Sequence, residues 1–161
     1  MPPRYAQTPD DMPGADQLWQ MSGLDYIHRI CDGTFPVPPM AQLFGFEIDT
    51  VKKGHVAFRG TADFRSANAV GGVHGGWYGT LLDSALGCAV MTMMPQGSAY
   101  TTLEYKVNIT RAVPMGMAVL AAANVQHAGR STAVANAEIR GIEDGRVYAT
   151  GSTTCIVMQR E

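Results

Sequence analysis

Residues 75–94 form one apolar run, Gly-Gly-Trp-Tyr-Gly-Thr-Leu-Leu-Asp-Ser-Ala-Leu-Gly-Cys-Ala-Val-Met-Thr-Met-Met, with a single charged residue and stop signals at Pro95 and Gly97. Read as a helix from Gly75 to Met94, it rises about 1.5 Å per residue and spans close to 30 Å, enough to run the width of a small sheet. A helix without a polar face has to be covered by other elements. The chain has 161 residues, which suits one domain with one sizeable core.

The flanking sequence supplies the cover. Ahead of the long helix, Phe44 to Val51 and His55 to Gly60 read as two strands around a Lys52-Lys53-Gly54 turn,. Behind it come four more strands, Ala99 to Ile109, Met117 to His127, Thr132 to Ile142 and Val147 to Met158. Turns at Ala112-Val113-Pro114, Ala128-Gly129-Arg130 and Glu143-Asp144-Gly145 separate them, and such short links imply antiparallel neighbours,. Near the N-terminus, Leu18, Met21, Leu24, Ile27 and Ile30 recur at the spacing of an amphipathic helix from Ala15 to Ile30, ended by Gly33 and the Pro36 to Pro39 cluster,. The order helix, two strands, long helix, four strands is α+β, with one antiparallel sheet covering the long helix. We divide the chain at residue 40, into an N-terminal tail and helix (1–40) and a main domain (41–161).

Two features of the long helix carry chemical meaning. Gly75 and Gly76 leave backbone N–H groups bare at its N-terminus, where the helix dipole favours negative charge and an oxyanion can bind,. Two turns on, Asp83 projects from a segment that otherwise reads as core, and a carboxylate there needs a partner or a task. Gly79 and Gly87 sit four residues before and after Asp83 on the same helix face, and their missing side chains open a groove for a substrate or another backbone,. Taken alone, the glycines would signal only close helix-to-sheet packing, His74 a cap or core histidine, and Asn68 a turn residue.

Other function classes are excluded or disfavoured by composition. A net charge of −2 and 16% charged residues leave no basic stripe for nucleic acid and no basic amphipathic run for a membrane surface,. The residues from Met1 to Gly14 are polar and proline-rich, and no segment approaches the roughly 20 apolar residues of a membrane span,. A cytoplasmic protein is expected. Cys31, Cys88 and Cys155 are odd in number and widely separated, so neither a disulfide framework nor a zinc site is indicated,. Cys88, five positions from Asp83, falls on a different helix face and has no base beside it to make a nucleophile,. His28, His55 and His127 are too scattered to form a metal cluster, and no metal is expected,. Trp77, Tyr78, Met91, Met93 and Met94 read as core or interface filling.

The element order, together with Asn68-x-x-Gly71-x-x-His74-Gly75-Gly76 and Asp83 nine positions after His74, resembles the hotdog-fold acyl-CoA thioesterases of the phenylacetate-pathway (PaaI-like) type. The resemblance runs from about Ala41 to Met158 and continues in Tyr105 to Gly116 and in His127-Ala-Gly-Arg-Ser. It implies a sheet of about six antiparallel strands wrapped around one long helix, with an extra N-terminal helix. It implies hydrolysis of an acyl-CoA thioester at the interface of a homodimer or dimer of dimers.

The resemblance also implies roles. The Gly75 N–H would polarise the thioester carbonyl, and Asp83 of the opposing subunit would be general base or nucleophile. Asn68 would orient the water or the thioester, and Thr101 matches a position where some members carry a hydroxyl near the carboxylate. His74 would shape the glycine turn. Gly76 and the Gly129-Arg130-Ser131 turn would contact the substrate, with Arg130 a phosphate contact. No cofactor is expected, since coenzyme A is part of the substrate. Two other readings remain: a non-catalytic acyl-CoA sensor, and a hotdog hydratase or dehydratase acting on a thioester.

Overall fold

The computed structural model describes residues 3–160. Three short helices come first, α1 (Ala15–Trp19), α2 (Gly23–Cys31) and α3 (Pro39–Phe44), followed by strands β1 (Phe46–Lys52) and β2 (His55–Thr61). The long helix α4 (Gly75–Met91) precedes β3 (Ser98–Ile109), β4 (Ala118–Ala128), β5 (Thr132–Gly141) and β6 (Val147–Gln159). The six strands form one antiparallel sheet in the order β1-β2-β4-β5-β6-β3. The sheet curls around α4, which is the hotdog architecture.

The closeness of that wrap follows from residue size. The inward positions of the central strands are mostly alanine: Ala121 and Ala123 on β4, Ala133, Ala135 and Ala137 on β5, and Ala149 on β6, all buried. Gly151 continues the pattern, because a Cβ there would lie 3.2 Å from Leu82 Cδ1 and from the Lys106 carbonyl oxygen. With so little bulk on the sheet, the core volume comes from the helix, whose Trp77, Tyr78, Leu81, Leu82 and Leu86 are fully buried. Its two large rings are also anchored by polar contacts. Trp77 Nε1 donates to the Phe44 carbonyl at 2.9 Å, and Tyr78 Oη accepts from the Val113 N–H at 2.7 Å.

Three element boundaries differ from the expectation, each for a local reason. The helix expected over Ala15 to Ile30 breaks into α1 and α2. Ser22 starts the second piece, its Oγ accepting from the Asp25 N–H at 3.2 Å and donating to Asp25 Oδ2 at 2.6 Å, a capping arrangement stronger than continued helix. The segment before β1 forms α3, with Pro39 in its first turn and Gly45 left-handed (φ 68°) at its end, so Phe44 is helical rather than the first strand residue. The long helix ends at Met91, because the Thr92 hydroxyl bonds the Ala89 carbonyl at 2.7 Å while accepting from the Gly54 N–H at 2.8 Å. The next turn tightens, with Met93 and Met94 bonding back three residues to Val90 and Met91,.

The N-terminal elements pack on the main core. Ala6, Ile27 and Phe35 are buried, and the Gly23 N–H donates to the Met94 carbonyl at 2.9 Å. Glycine is required at position 23, since any Cβ would run into the Met91 carbonyl. Gly14, by contrast, faces open space. Gly23→Ala is therefore expected to lower stability by about 1–3 kcal/mol through overpacking against backbone, and Gly14→Ala to change it by no more than about 0.5 kcal/mol. Urea titration of the two variants checks this. Equal stability for the pair would mean that α2 does not approach α4 as described.

Candidate active site

The start of α4 is held by the loop before it. Asn68 Oδ1 accepts from the N–H groups of Val70 and Gly72, both at 3.0 Å, and the Asn68 N–H reaches the Gly72 carbonyl at 2.7 Å. Gly71 supplies the left-handed turn (φ 83°) that these bonds close over,. The His74 N–H then docks on the Ser66 carbonyl at 2.8 Å, fixing the residue that caps the helix.

His74 caps α4 through Nδ1, which accepts from the Gly76 N–H at 2.9 Å. Nδ1 is thus the acceptor nitrogen of the imidazole at this cap,. The Trp77 N–H is taken by the His74 carbonyl at 3.0 Å. Among the described residues the first-turn donor with no protein partner is the Gly75 N–H, on the exposed tip of the helix. That amide is aimed outward at the positive end of the dipole, where a developing oxyanion would be stabilised.

Gly75, Gly79, Asp83 and Gly87 recur every fourth residue and face β3. The groove expected over Gly79 and Gly87 is not open within the chain. A Cβ on Gly87 would lie 2.5 Å from Tyr100 Oη, one on Gly79 3.3 Å from Tyr105 Oη, and one on Gly75 3.7 Å from Ile109 Cδ1. The glycines thus admit the tyrosine rings of the neighbouring strand. A register shift in the β3–β6 pairing between Thr102 and Glu104 lets both ends of β3 point side chains at the helix,.

Between the two tyrosines lies Asp83, half-buried at the side of a cavity of about 620 Å³ that also takes in Ser84, Cys88, Tyr100 and Thr102. Burial raises the Asp83 carboxyl above the ordinary carboxylate range, and the Thr102 hydroxyl partly offsets the shift,. Thr101, the expected hydroxyl, is exposed, whereas Thr102 lines the cavity. Successive strand residues point to opposite faces, so the choice between two adjacent threonines rests on register. Cys88 shares the cavity with Asp83 despite the five-residue spacing, and burial pushes its thiol up to about 12. It stays protonated at neutral pH, without the thiolate that a nucleophile needs.

The Gly129-Arg130-Ser131 turn joins β4 to β5, closed by the Gly129 N–H on the Thr132 carbonyl at 2.8 Å and docked on β6 by the Val157 N–H on the Ser131 carbonyl at 2.9 Å. Arg130 is exposed and does not line the cavity. By register Thr132 pairs with Ile156, which pairs in turn with Thr101, so the turn projects from the sheet just beyond the level of Thr102. Among the described residues no three His, Cys, Asp or Glu side chains gather as a metal-ion site, and no helix is long and apolar enough to cross a membrane.

Comparison with known proteins agrees with this architecture. The Thioesterase superfamily model matches residues 70–149, which begin in the Asn68 loop and end in β6. A thioesterase family protein from Silicibacter pomeroyi is 31% identical, with a TM-score of 0.71, over 91% of this chain and 100% of its own. A phenylacetic acid degradation-related protein from Ralstonia eutropha JMP134 is 28% identical (TM-score 0.74), over 81% of this chain and 98% of its own. A hypothetical thioesterase from Streptococcus pneumoniae TIGR4, solved with coenzyme A, is 29% identical (TM-score 0.66), over 74% of this chain and 92% of its own. No curated protein matches. The chain belongs to the thioesterase superfamily.

The raised Asp83 pKa has a consequence for stability. A carboxyl whose folded pKa lies above its unfolded value binds its proton more tightly in the folded state. It therefore favours the fold below the unfolded pKa and loses that contribution as pH rises through the folded one. An amide in its place does not ionise. Asp83→Asn is expected to melt above the parent protein at pH 7–8, by a margin that shrinks toward pH 4. A margin that grows as the pH falls would show that the Asp83 carboxylate is stabilised, not penalised, by its surroundings.

Proposed function

We propose that the protein hydrolyses acyl-CoA thioesters at sites completed by two chains. The carrying observation is the pairing of a half-buried carboxylate of raised pKa with a mostly apolar cavity beside it, in a chain of the thioesterase superfamily. Coenzyme A in the Streptococcus relative supports the choice of thioester. A thioester is already an activated acyl group, so the reaction needs an oxyanion donor and a base or nucleophile, with no strong acid for the thiolate that leaves.

In this reading the Gly75 N–H polarises the thioester carbonyl. The Asp83 carboxylate draws a proton from water as the oxygen adds to the carbonyl carbon, or adds to that carbon itself to give a mixed anhydride that water cleaves to the free acid once the thiolate has left. The C–S bond then breaks and the coenzyme A thiolate departs. A pKa raised by burial above that of an ordinary aspartate makes the ionised carboxylate a better base,. Asn68 acts by shaping the loop, since its Oδ1 is engaged by two backbone amides, and His74 acts as the cap that orients the Gly75 and Gly76 amides. Arg130 on its exposed turn would meet a coenzyme A phosphate.

Geometry within one chain argues for two. Gly75 and Asp83 are eight residues apart on one helix, a rise of about 12 Å, whereas reacting atoms must lie about 3–3.5 Å apart. The amide and the carboxylate of a single chain therefore serve different carbonyls. Strand β3 offers the means of association: it ends the sheet with one edge unpaired, and Leu103, Tyr105 and Ile109 along it are large apolar residues at least partly open to solvent,.

A mixing experiment tests both chemistry and assembly. Gly75→Pro deletes the single amide at a helix position that tolerates proline, after a residue already extended (His74 φ −67°, ψ 140°),. Gly75→Pro and Asp83→Asn are each expected to be inactive toward acyl-CoA. Co-expressed in equal amounts, they should recover about a quarter of intact sites in a two-fold dimer. Heterodimers confirmed by mass that remain as inactive as the parents would exclude a site shared between chains.

A further inference from the structure

The cavity beside Asp83 is roofed by a part of the chain that lies outside the stretch matched by the family model, residues 70–149. Its floor is α4 and β3, and one wall is Phe46, Ile48 and Phe58 of β1 and β2. The roof comes from Tyr5, Ile30, Val37 and Met40. This roof is built rather than draped. The Val37 N–H donates to the Arg4 carbonyl at 2.8 Å and the Ala6 N–H to the Val37 carbonyl at 3.0 Å, an isolated parallel bridge that clasps the N-terminal segment around Tyr5 to the segment before α3. Phe35 is buried behind it, its ring 5.3 Å from Tyr26 and 5.5 Å from the Arg29 guanidinium, and its N–H bonds the Arg29 carbonyl at 2.7 Å.

The chemistry of the lining is graded. Phe46 and Phe58 are buried and Tyr5, Ile30, Val37 and Ile48 half-buried, whereas Met40 and the charged lining residues other than Asp83, namely Arg4, Asp32 and Glu47, are exposed. A volume of about 620 Å³ sits in the middle of the range of small-molecule pockets and far exceeds what an acetyl group fills. Asp83 lies on its floor.

Resting on the thioesterase reading, we infer that this cavity is the acyl pocket, that it takes an aliphatic acyl chain much longer than acetyl, and that Ile30 and Val37 in the N-terminal roof set the chain length accepted. The thioester carbon sits at Asp83 and the chain extends beneath the roof of the same protomer. Each methylene that enters is removed from water and strengthens binding by about fourfold, and binding energy of this remote kind is available to the chemical step.

The experiment is a kcat/KM series over acetyl-, butanoyl-, hexanoyl- and octanoyl-CoA, with the parent protein and with Val37→Trp and Ile30→Trp. The parent is expected to gain about fourfold per methylene through octanoyl. Either variant should lower the octanoyl-to-acetyl ratio by at least about tenfold, because an indole then fills the space of the distal methylenes. A variant that is merely destabilised lowers both rates together and leaves the ratio unchanged. A flat parental series, or a ratio unmoved in both folded variants, would overturn the pocket while leaving the thioesterase reading intact. If no thioester in the series is hydrolysed, that reading fails, and calorimetry decides the pocket by itself: octanoyl-CoA should bind the parent more tightly than acetyl-CoA, and equal affinities would overturn it.

Discussion

The wrap of an alanine-lined sheet around one apolar helix is the constraint from which the other features follow. Because Ala121, Ala135, Ala149 and their neighbours add so little bulk, the sheet closes on α4 at short range, and the helix must bring its own volume in Trp77, Tyr78 and three leucines. Removing any of these buried side chains would open a cavity costing several kcal/mol. That same closeness fixes the axial position of the helix. Its N-terminal amides are thereby presented at one end, and Asp83 is held against β3 midway along.

A carboxylate in such a place is penalised by lost hydration, and the structure compensates only in part. Among the described residues Thr102 is the neighbour that lowers the Asp83 pKa, and no cation acts on it there. The incomplete compensation is what gives the group its chemical character, since a salt-bridged aspartate would be stable but a poor base. The other end of the helix is treated differently. There Asn68 and His74 are both spent on backbone amides, so that the loop and cap are held by hydrogen bonds and, among the described residues, the Gly75 N–H is the first-turn donor left without a protein partner.

Much of this was legible in the residue pattern. The apolar run over 75–94 announces a central helix, and strand-like runs set off by turn residues place all six strands to within a few positions. The paired glycines at the start of that helix and the lone carboxylate within it single out the helix tip and Asp83. What was not legible depended on three-dimensional partners. Thr101 and Thr102 are indistinguishable until register decides which faces the helix. Gly79 and Gly87 read as an open groove because nothing in sequence shows that Tyr105 and Tyr100 come from a strand more than a dozen residues away to lie over them. The split of the N-terminal helix at Ser22 and the short helix at Pro39 arise from local caps that periodicity overlooks. The roof over the cavity is an outcome of long-range backbone pairing between Arg4, Ala6 and Val37, for which the chain carries no local signal.

A catalytic role for the Asp83 carboxylate is tested most directly by its amide. The amide of Asp83→Asn keeps the shape of the side chain but can neither accept a proton nor attack a carbonyl. Steady-state hydrolysis of the acyl-CoA that the parent turns over fastest, measured on folded Asp83→Asn protein, should fall at least ~10²-fold in kcat. Retention of more than about a tenth of the parental kcat, set against that expected loss, would contradict the assignment.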